Sequence, residues 1–337
     1  MSHDAHLAPI ADGLYAWLPD GRGTWGLANC GLLVSEGQAA LIDTPYDLPR
    51  TRALLEAAAP VLGPQGRIGT AITTHSNGDH SYGLAALGDV EIIGTRDYLH
   101  ALDHEPTPQQ MHALVAETPP DQPTSWYLRR HFGRFDFTGI DPVAPTRTFS
   151  GSLELRIGAA EVRLVQAGPA HTDGDLWVHL PQHGVVFTGD VVFADDHPVH
   201  WAGPIDNVID ACLGILATGA QVIVPGHGPL MTPADLRGHI DYLRWVRDGA
   251  HRLHALGVPA QSAALQLIDS GRYPGLGLPE RLAITVATEY RHLAGETGTP
   301  DLVVLVGAAA RIALGREQAR IPGQRSGADD PSNAAPQ

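Results

Sequence analysis

Thr74-His75-Ser76-Asn77-Gly78-Asp79-His80 decides how this chain is read. Two imidazoles, a carboxylate and an amide fall within six residues around one glycine, immediately after an apolar run at 68–73 that reads as a buried strand. Another strand is expected at 90–94. Upstream, strands at 14–18, 30–35 and 39–43 are separated by glycine-containing turns such as Ser35-Glu36-Gly37-Gln38. A helix fits 48–62, where Leu54, Leu55, Ala58, Val61 and Leu62 share a face. This strand–helix–strand–loop rhythm belongs to an α/β domain.

Downstream the same grammar returns. Strands are expected at 153–157, 162–166, 176–180, 185–188 and 221–224, with a helix at 205–216. Three more polar segments follow strands or hairpins: Gly168-Pro169-Ala170-His171-Thr172-Asp173-Gly174-Asp175, Thr188-Gly189-Asp190 and Pro225-Gly226-His227-Gly228. Strand ends and the loops after them are where an α/β scaffold presents functional groups. One histidine beside an aspartate is ordinarily a helix cap or a satisfied surface pair. Four such segments, each after a strand and each flanked by glycine, point instead to a metal centre, since imidazole and carboxylate suit Zn²⁺ and Fe²⁺.

Composition narrows the chemistry. The chain has 337 residues, 22 Lys+Arg against 37 Asp+Glu, and a formal net charge of −15. A surface so acidic repels phosphate backbones, which argues against nucleic acid as a partner. Every basic residue is arginine, so Schiff-base chemistry, pyridoxal phosphate attachment and a Walker-type loop are excluded. No Gly-x-Ser-x-Gly elbow occurs. No apolar run approaches membrane-spanning length, and the first residues lack the marks of an export signal, so a soluble cytoplasmic protein is expected. Cys30 and Cys212 are too few for a disulfide framework and are expected to be packing residues.

With these motifs in place, the chain resembles the metallo-β-lactamase-fold superfamily of metallohydrolases over about residues 10–230. The order and spacing of all four motifs match. The family's H-x-H-x-D-H signature falls on His75, Asn77, Asp79 and His80; its later histidine on His171, its bridging aspartate on Asp190 and its last histidine on His227. The resemblance implies a four-layer α/β/β/α sandwich with the site at one edge between two sheets. It also implies one metal position at His75, residue 77 and His171, a second at Asp79, His80 and His227, and Asp190 spanning both. Asp43 fits the family's structural aspartate. The implied cofactor is one or two Zn²⁺ ions, with iron or manganese as alternatives.

Asn77 is the departure, standing where the signature has its second histidine. Its amide oxygen is a weaker ligand than imidazole, so the Asp79/His80/His227 side is expected to bind metal more tightly. Asn77 is expected to hold its loop through backbone hydrogen bonds, with Gly78 in a left-handed turn and only weak or water-mediated contact with metal. Asp175 is expected to brace His171 from behind.

The implied activity is metal-dependent hydrolysis of an ester-like bond in a small molecule: a thioester, lactone or carboxylic ester. Asp79 or Asp190 would orient the nucleophile and carry its proton. The alternative is an iron-dependent oxidoreductase on the same fold. A scaffold with a degenerate site has least support. Residues 95–142 read as an irregular insertion whose aromatics suggest a flap, with Trp126 and Phe135, joined by Trp201, lining an apolar pocket. Arg129, Arg130 and Arg134 in the same stretch are the competing feature. Residues 231–315 read as a helical appendage whose apolar stripes must be buried against the core, the flap or the partner of a homodimer, and 316–337 as a disordered tail.

Overall fold

The computed structural model describes residues 5–64, 66–298 and 300–320. Two sheets lie face to face. The first runs β1 (His6–Ala11), β2 (Leu14–Leu18), β3 (Cys30–Ser35), β4 (Gln38–Ile42), β5 (Arg67–Ile72), β6 (Glu91–Thr95) and β7 (Arg147–Phe149), in that spatial order. It is antiparallel through β4 and parallel from β4 to β7. Parallel neighbours need crossovers. Helix α1 (Leu48–Leu62) supplies the first; the short helix α2 (Gly78–Ser81) with a 3-10 turn supplies the second. Helices α3 (Arg96–Leu102), α4 (Pro108–Ala116) and α5 (Pro123–Phe132) occupy the third, the expected insertion.

The second sheet is β8 (Ser152–Ile157), β9 (Ala160–Gln166), β10 (Leu176–Leu180), β11 (Val185–Phe187) and β12 (Val222–Val224). Only β11 and β12 are parallel, and α6 (Ile205–Ala217) connects them. Helices α7 (Pro233–Ala255), α8 (Ala260–Asp269), α9 (Leu282–Leu293) and α10 (Leu302–Arg320) complete the described chain. Among the described residues no helix is long and apolar enough to cross a membrane.

Burial explains the layers. Leu14, Leu33, Ile42, Ile72 and Ile93 of the first sheet meet Val162, Leu164, Leu176, Val178 and Phe187 of the second. Gly31 lets the sheets close here: a Cβ on it would lie 2.6 Å from the Phe187 ring. On the outer face of the first sheet, Leu54 and Ala58 of α1 pack against Leu32 and Leu41. On the outer face of the second, α6 to α9 bury Val208, Cys212, Leu236, Leu243, Val246, Leu267, Leu282 and Val286 around Val186 and Ile223. The mixed α/β sandwich that the family resemblance implies is therefore present. The apolar stripes of α7 and α9 are covered within this chain.

Three expectations change. Strand β1 lacks a legible pattern because Pro9 interrupts it, as an edge strand tolerates; β7 is only three residues long. The expected tail began at Arg316, but α10 continues to Arg320, held in part by Arg316 facing Asp269 at 3.3 Å. The rest of that stretch, 321–337, lies outside the described residues.

Candidate metal centre and its cavity

The first and second sheets each contribute loops to one edge of the sandwich. After β5 come His75, Asn77, Asp79 and His80; after β9, His171; after β11, Asp190; after β12, His227. Sequence placed these residues at strand ends, and the fold gathers them. His75, His171 and Asp190 have donor atoms within 4.8 Å of one another, and so do Asp79, His80 and His227. Asp190 links the groups: it lies 3.0 Å from His80 Nε2, 3.2 Å from His227 Nε2 and 3.5 Å from His171 Nε2. Asp79 Oδ2 is 3.4 Å from His227 Nε2.

Each imidazole is fixed through Nδ1, which leaves Nε2 facing the centre. His80 Nδ1 donates to Asp43 Oδ2 at 2.8 Å, His171 Nδ1 to the Val199 carbonyl at 2.7 Å, and His227 Nδ1 to the Leu27 carbonyl at 3.1 Å. The Thr74 hydroxyl gives its one proton to Asp43, so at 3.0 Å it accepts from His75 Nδ1. Asp43 also accepts from the Thr74 amide at 2.7 Å, and its backbone is left-handed at φ 59°. A non-glycine residue in that region stores strain, here at the carboxylate that orients two ligand segments. Phe193 stacks on His227, with centroids 5.3 Å apart and planes within 8°. Asn29, which belongs to no motif, donates to the carbonyls of Pro225 and Gly228 and pins the His227 loop.

The charges are arranged for a cation. His75 Nε2 is buried with no partner, and Asp190 Oδ1, though close to His80, makes no hydrogen bond of acceptable geometry. Burial opposes charge on every group. It holds His75 well below the ordinary imidazole pKa, with His80 adding to the effect, and it lowers His171 too. His80 is nevertheless raised well above it by Asp190 and Asp43, and His227 rises to about 9 through Asp190 and Asp79. Burial also opposes ionisation of Asp190 and Asp79, yet the neighbouring histidines hold both below the carboxylate range. These shifts favour protons on His80 and His227 and unprotonated nitrogens at His75 and His171, a pattern that a bound positive ion would complete. The donor set fits Zn²⁺ or another nitrogen/oxygen-loving divalent ion.

Asn77 holds its loop through its backbone carbonyl, which accepts from the His80 amide and the Ser81 hydroxyl, and departs from expectation in its side chain. It caps α2 with no side-chain bond to the backbone, and Gly78 is helical rather than left-handed. Gly78 is required for space: a Cβ there would lie 2.6 Å from Tyr46 and 2.7 Å from Tyr82. The Asn77 side chain spans instead from Glu105, where Nδ2 donates to Oε1 at 2.6 Å, to His171 Nε2, which lies 2.6 Å from Oδ1. Glu105 comes from the link between α3 and α4; burial, then Asp79, pushes its pKa up to about 7. No sequence signal connects it to the motif 28 residues earlier. Asp175 accepts from the Thr172 amide and hydroxyl, so it braces the turn after His171, not the ring.

A cavity of about 600 Å³ opens from the centre. Asp79, His171, Asp190 and His227 line one end. Met111, Leu114, Leu128 and Phe132 of the insertion and Leu302, Val303 and Val306 of α10, which packs on α5, form its apolar lining. Trp201 is in the lining together with Trp25, which was not anticipated. Trp126 and Phe135 are not in it. Phe135 is buried against Tyr46, and Trp126 lies beneath the Arg130 guanidinium. Helical spacing could not reveal this, because α5 turns Leu128 and Phe132 toward the cavity. The three arginines of that stretch point elsewhere as well: Arg129 ties the carbonyls of Val115 and Thr118, Arg130 faces Glu317, and Arg134 is not among the lining residues. Two other arginines do line the cavity: Arg281, buried between Trp25 and Phe193, and Arg291 of α9.

Comparison with known proteins agrees with this geometry. A family model described as the metallo-beta-lactamase superfamily matches residues 23–227. The acyl-coenzyme A thioesterase MBLAC2 of Gallus gallus is 25% identical over 230 residues, which cover 65% of this chain and 79% of that protein. Among solved structures, the inverting sec-alkylsulfatase Pisa1 from Pseudomonas sp. superposes with a TM-score of 0.64 at 16% identity, over 86% of this chain; the chain spans about half, 50%, of the sulfatase. The metallo-beta-lactamase FIM-1 from Pseudomonas aeruginosa, in its mono-zinc form, gives a TM-score of 0.53 at 18% identity, over 72% of this chain and 97% of its own. At such identities the structural likeness speaks for the fold.

Proposed function

Because the chain belongs to the metallo-beta-lactamase superfamily and is an enzyme of its hydrolase type, we propose that it is a metal-dependent thioesterase acting on small molecules with an apolar acyl body. The observation that carries this reading is the continuity of the His/Asp centre with a chamber walled by aliphatic and aromatic side chains. Such walls bind through buried area, while the polar end orients the reacting carbonyl. The thioesterase relative favours the thioester among ester-like bonds.

On this reading His75, His171 and Asp190 hold one ion and Asp79, His80, His227 and Asp190 the other, with Zn²⁺ the first expectation. Bound metal supplies a water of pKa near 7 and a positive charge for the carbonyl oxygen. The chain's own residues do the rest. Asp79, part-exposed at the cavity wall, accepts the proton of the attacking water and returns it to the leaving thiolate. Asp190 is buried and keeps the two ligand groups in register. Trp25, Phe193 and Trp201 exclude bulk water from the polar end.

The test is a panel at fixed acyl length: acyl thioester, carboxylic ester, lactone and alkyl sulfate, each with metal-loaded and chelated protein. Thioester kcat/KM is expected to lead and to vanish on chelation. Equal or faster release of sulfate would transfer the assignment to a sulfatase.

Metal loading is expected to be strongly pH-dependent. At pH 7 an entering ion must displace the protons held on His80 and His227, so filling the centre should release about two protons per chain. Calorimetric titration in two buffers of different ionisation enthalpy reads that number. Affinity should climb as pH rises through about 9, where His227 gives up its proton. The metal-free chain behaves oppositely. A histidine whose folded pKa is raised stabilises fully below its unfolded value, about 6.5, and that gain is lost as pH rises through about 9. Melting temperatures of chelated protein between those limits should therefore fall as pH increases.

A further inference from the structure

We propose that Glu105 and Asn77 together supply the third ligand position on the His75/His171 side, with Glu105 holding and polarising the amide so that Asn77 Oδ1 meets the ion. The inference rests on the reading above that the centre holds metal.

It starts from a conflict among acceptors. His171 has given its Nδ1 proton to the Val199 carbonyl, so in the neutral ring Nε2 is a bare lone pair. Asn77 Oδ1 faces that lone pair at 2.6 Å. Flipping the amide does not help, because Oδ1 would then face Glu105 Oε1 at the 2.6 Å now spanned by Nδ2. With Glu105 ionised and His171 neutral, one contact sets acceptor against acceptor whichever way the amide points. A cation bound by both Oδ1 and Nε2 would satisfy both once they part from 2.6 Å to the roughly 3 Å that two ligands of one ion need, and would leave Nδ2 donating to Glu105. The third group present, His75, has a buried Nε2 with no partner at all.

Glu105 does more than fix the orientation. A carboxylate accepting from one end of an amide pushes electron density toward the oxygen at the other end, as a carboxylate behind a metal-bound imidazole raises its basicity. The position that carries imidazole in the family signature thus carries a carboxylate-backed amide here. The His75/His171 side still remains the weaker of the two, because its only formal charge is the shared Asp190, while the opposite side has Asp79 as well.

The experiment is a titration of the metal-stripped full chain with Zn²⁺ alone, following heat and the number of ions bound by native mass spectrometry. The wild type should take two ions in two steps. Glu105→Gln keeps the size of the side chain and removes its charge; it should weaken the second step by about 10- to 100-fold and leave the first unchanged. Asn77→Ala should weaken the same step at least as much. Adding Glu105→Gln to Asn77→Ala should change nothing further, since Glu105 acts through Asn77. A single step in the wild type would overturn the proposal. So would a Glu105→Gln titration matching the wild type, additive losses in the double variant, or equal losses at both steps with a lowered Tm, which marks a merely structural residue. No substrate enters the measurement, so a chain that binds two ions in this pattern but spares thioesters would refute the proposed activity alone.

Discussion

Asp190→Ala is expected to abolish turnover, lowering kcat/KM by roughly 10³-fold or more, and to strip metal from both sides of the centre at once. Its carboxylate reaches both groups, lying between 3.0 and 3.5 Å from His80, His171 and His227. Removing it also leaves His80 and His227 without the anion that chiefly raises them, so both should titrate at lower pH. Metal content per chain and the kcat/KM of the best thioester are the two readouts. The contrasting variant is Asp79→Ala, which should empty only the His80/His227 side. If Asp190→Ala retains one tightly held ion, the two sides are independent and the bridging role is wrong.

Gly226→Ala should be nearly as damaging from a position that carries no functional group. A Cβ there would lie 1.9 Å from Asp190 Oδ1 and 2.8 Å from the Gly189 carbonyl carbon. Neither can retreat. Gly226 N donates to the carbonyls of Gly189 and Val192, the Asn29 amide donates to the Gly226 carbonyl, and Gly189 is itself left-handed against Thr74. Forcing a methyl into that gap should cost about 2–4 kcal/mol and displace the Asp190 carboxylate. Thermal melts and metal content should fall together. Gly238 is the internal control: exposed on α7 with nothing within 4 Å of an added Cβ, its replacement by alanine should stabilise the chain by about 0.5–1 kcal/mol. Equal responses at the two positions would contradict the steric account.

Much of this site is legible without coordinates because its chemistry and its geometry coincide in sequence. His75, Asp79, His80, His171, Asp190 and His227 each follow a strand whose apolar pattern is clear, and the strands converge at one edge. Helix α1 is equally plain, since Leu54, Leu55, Ala58, Val61 and Leu62 share one face. What stays hidden depends on direction and on distant chain. The aromatic run in α5 announces burial, yet only the fold says that Phe132 faces the cavity while Phe135 turns to Tyr46. Glu105 and Arg281 reach the site from segments with no motif of their own. Asn77 was legible as an anomaly, but its meaning required the residue behind it.

The course of the chain carries a consequence for how the protein forms. All seven strands of the first sheet precede all five of the second, and the centre draws His75 and His80 from one and His171, Asp190 and His227 from the other. Neither half alone can assemble the donor set. The long-range closure between them is the slow, entropically costly part of folding, and the ligand cage comes into being only once it is complete. Every imidazole is then already anchored at Nδ1 by protein atoms. Unlike a small zinc module, whose ion recruits an unfolded chain, this polypeptide builds the receptacle first. A divalent ion arriving afterwards acts as a latch across the two halves, slowing their separation and leaving the speed of their meeting unchanged.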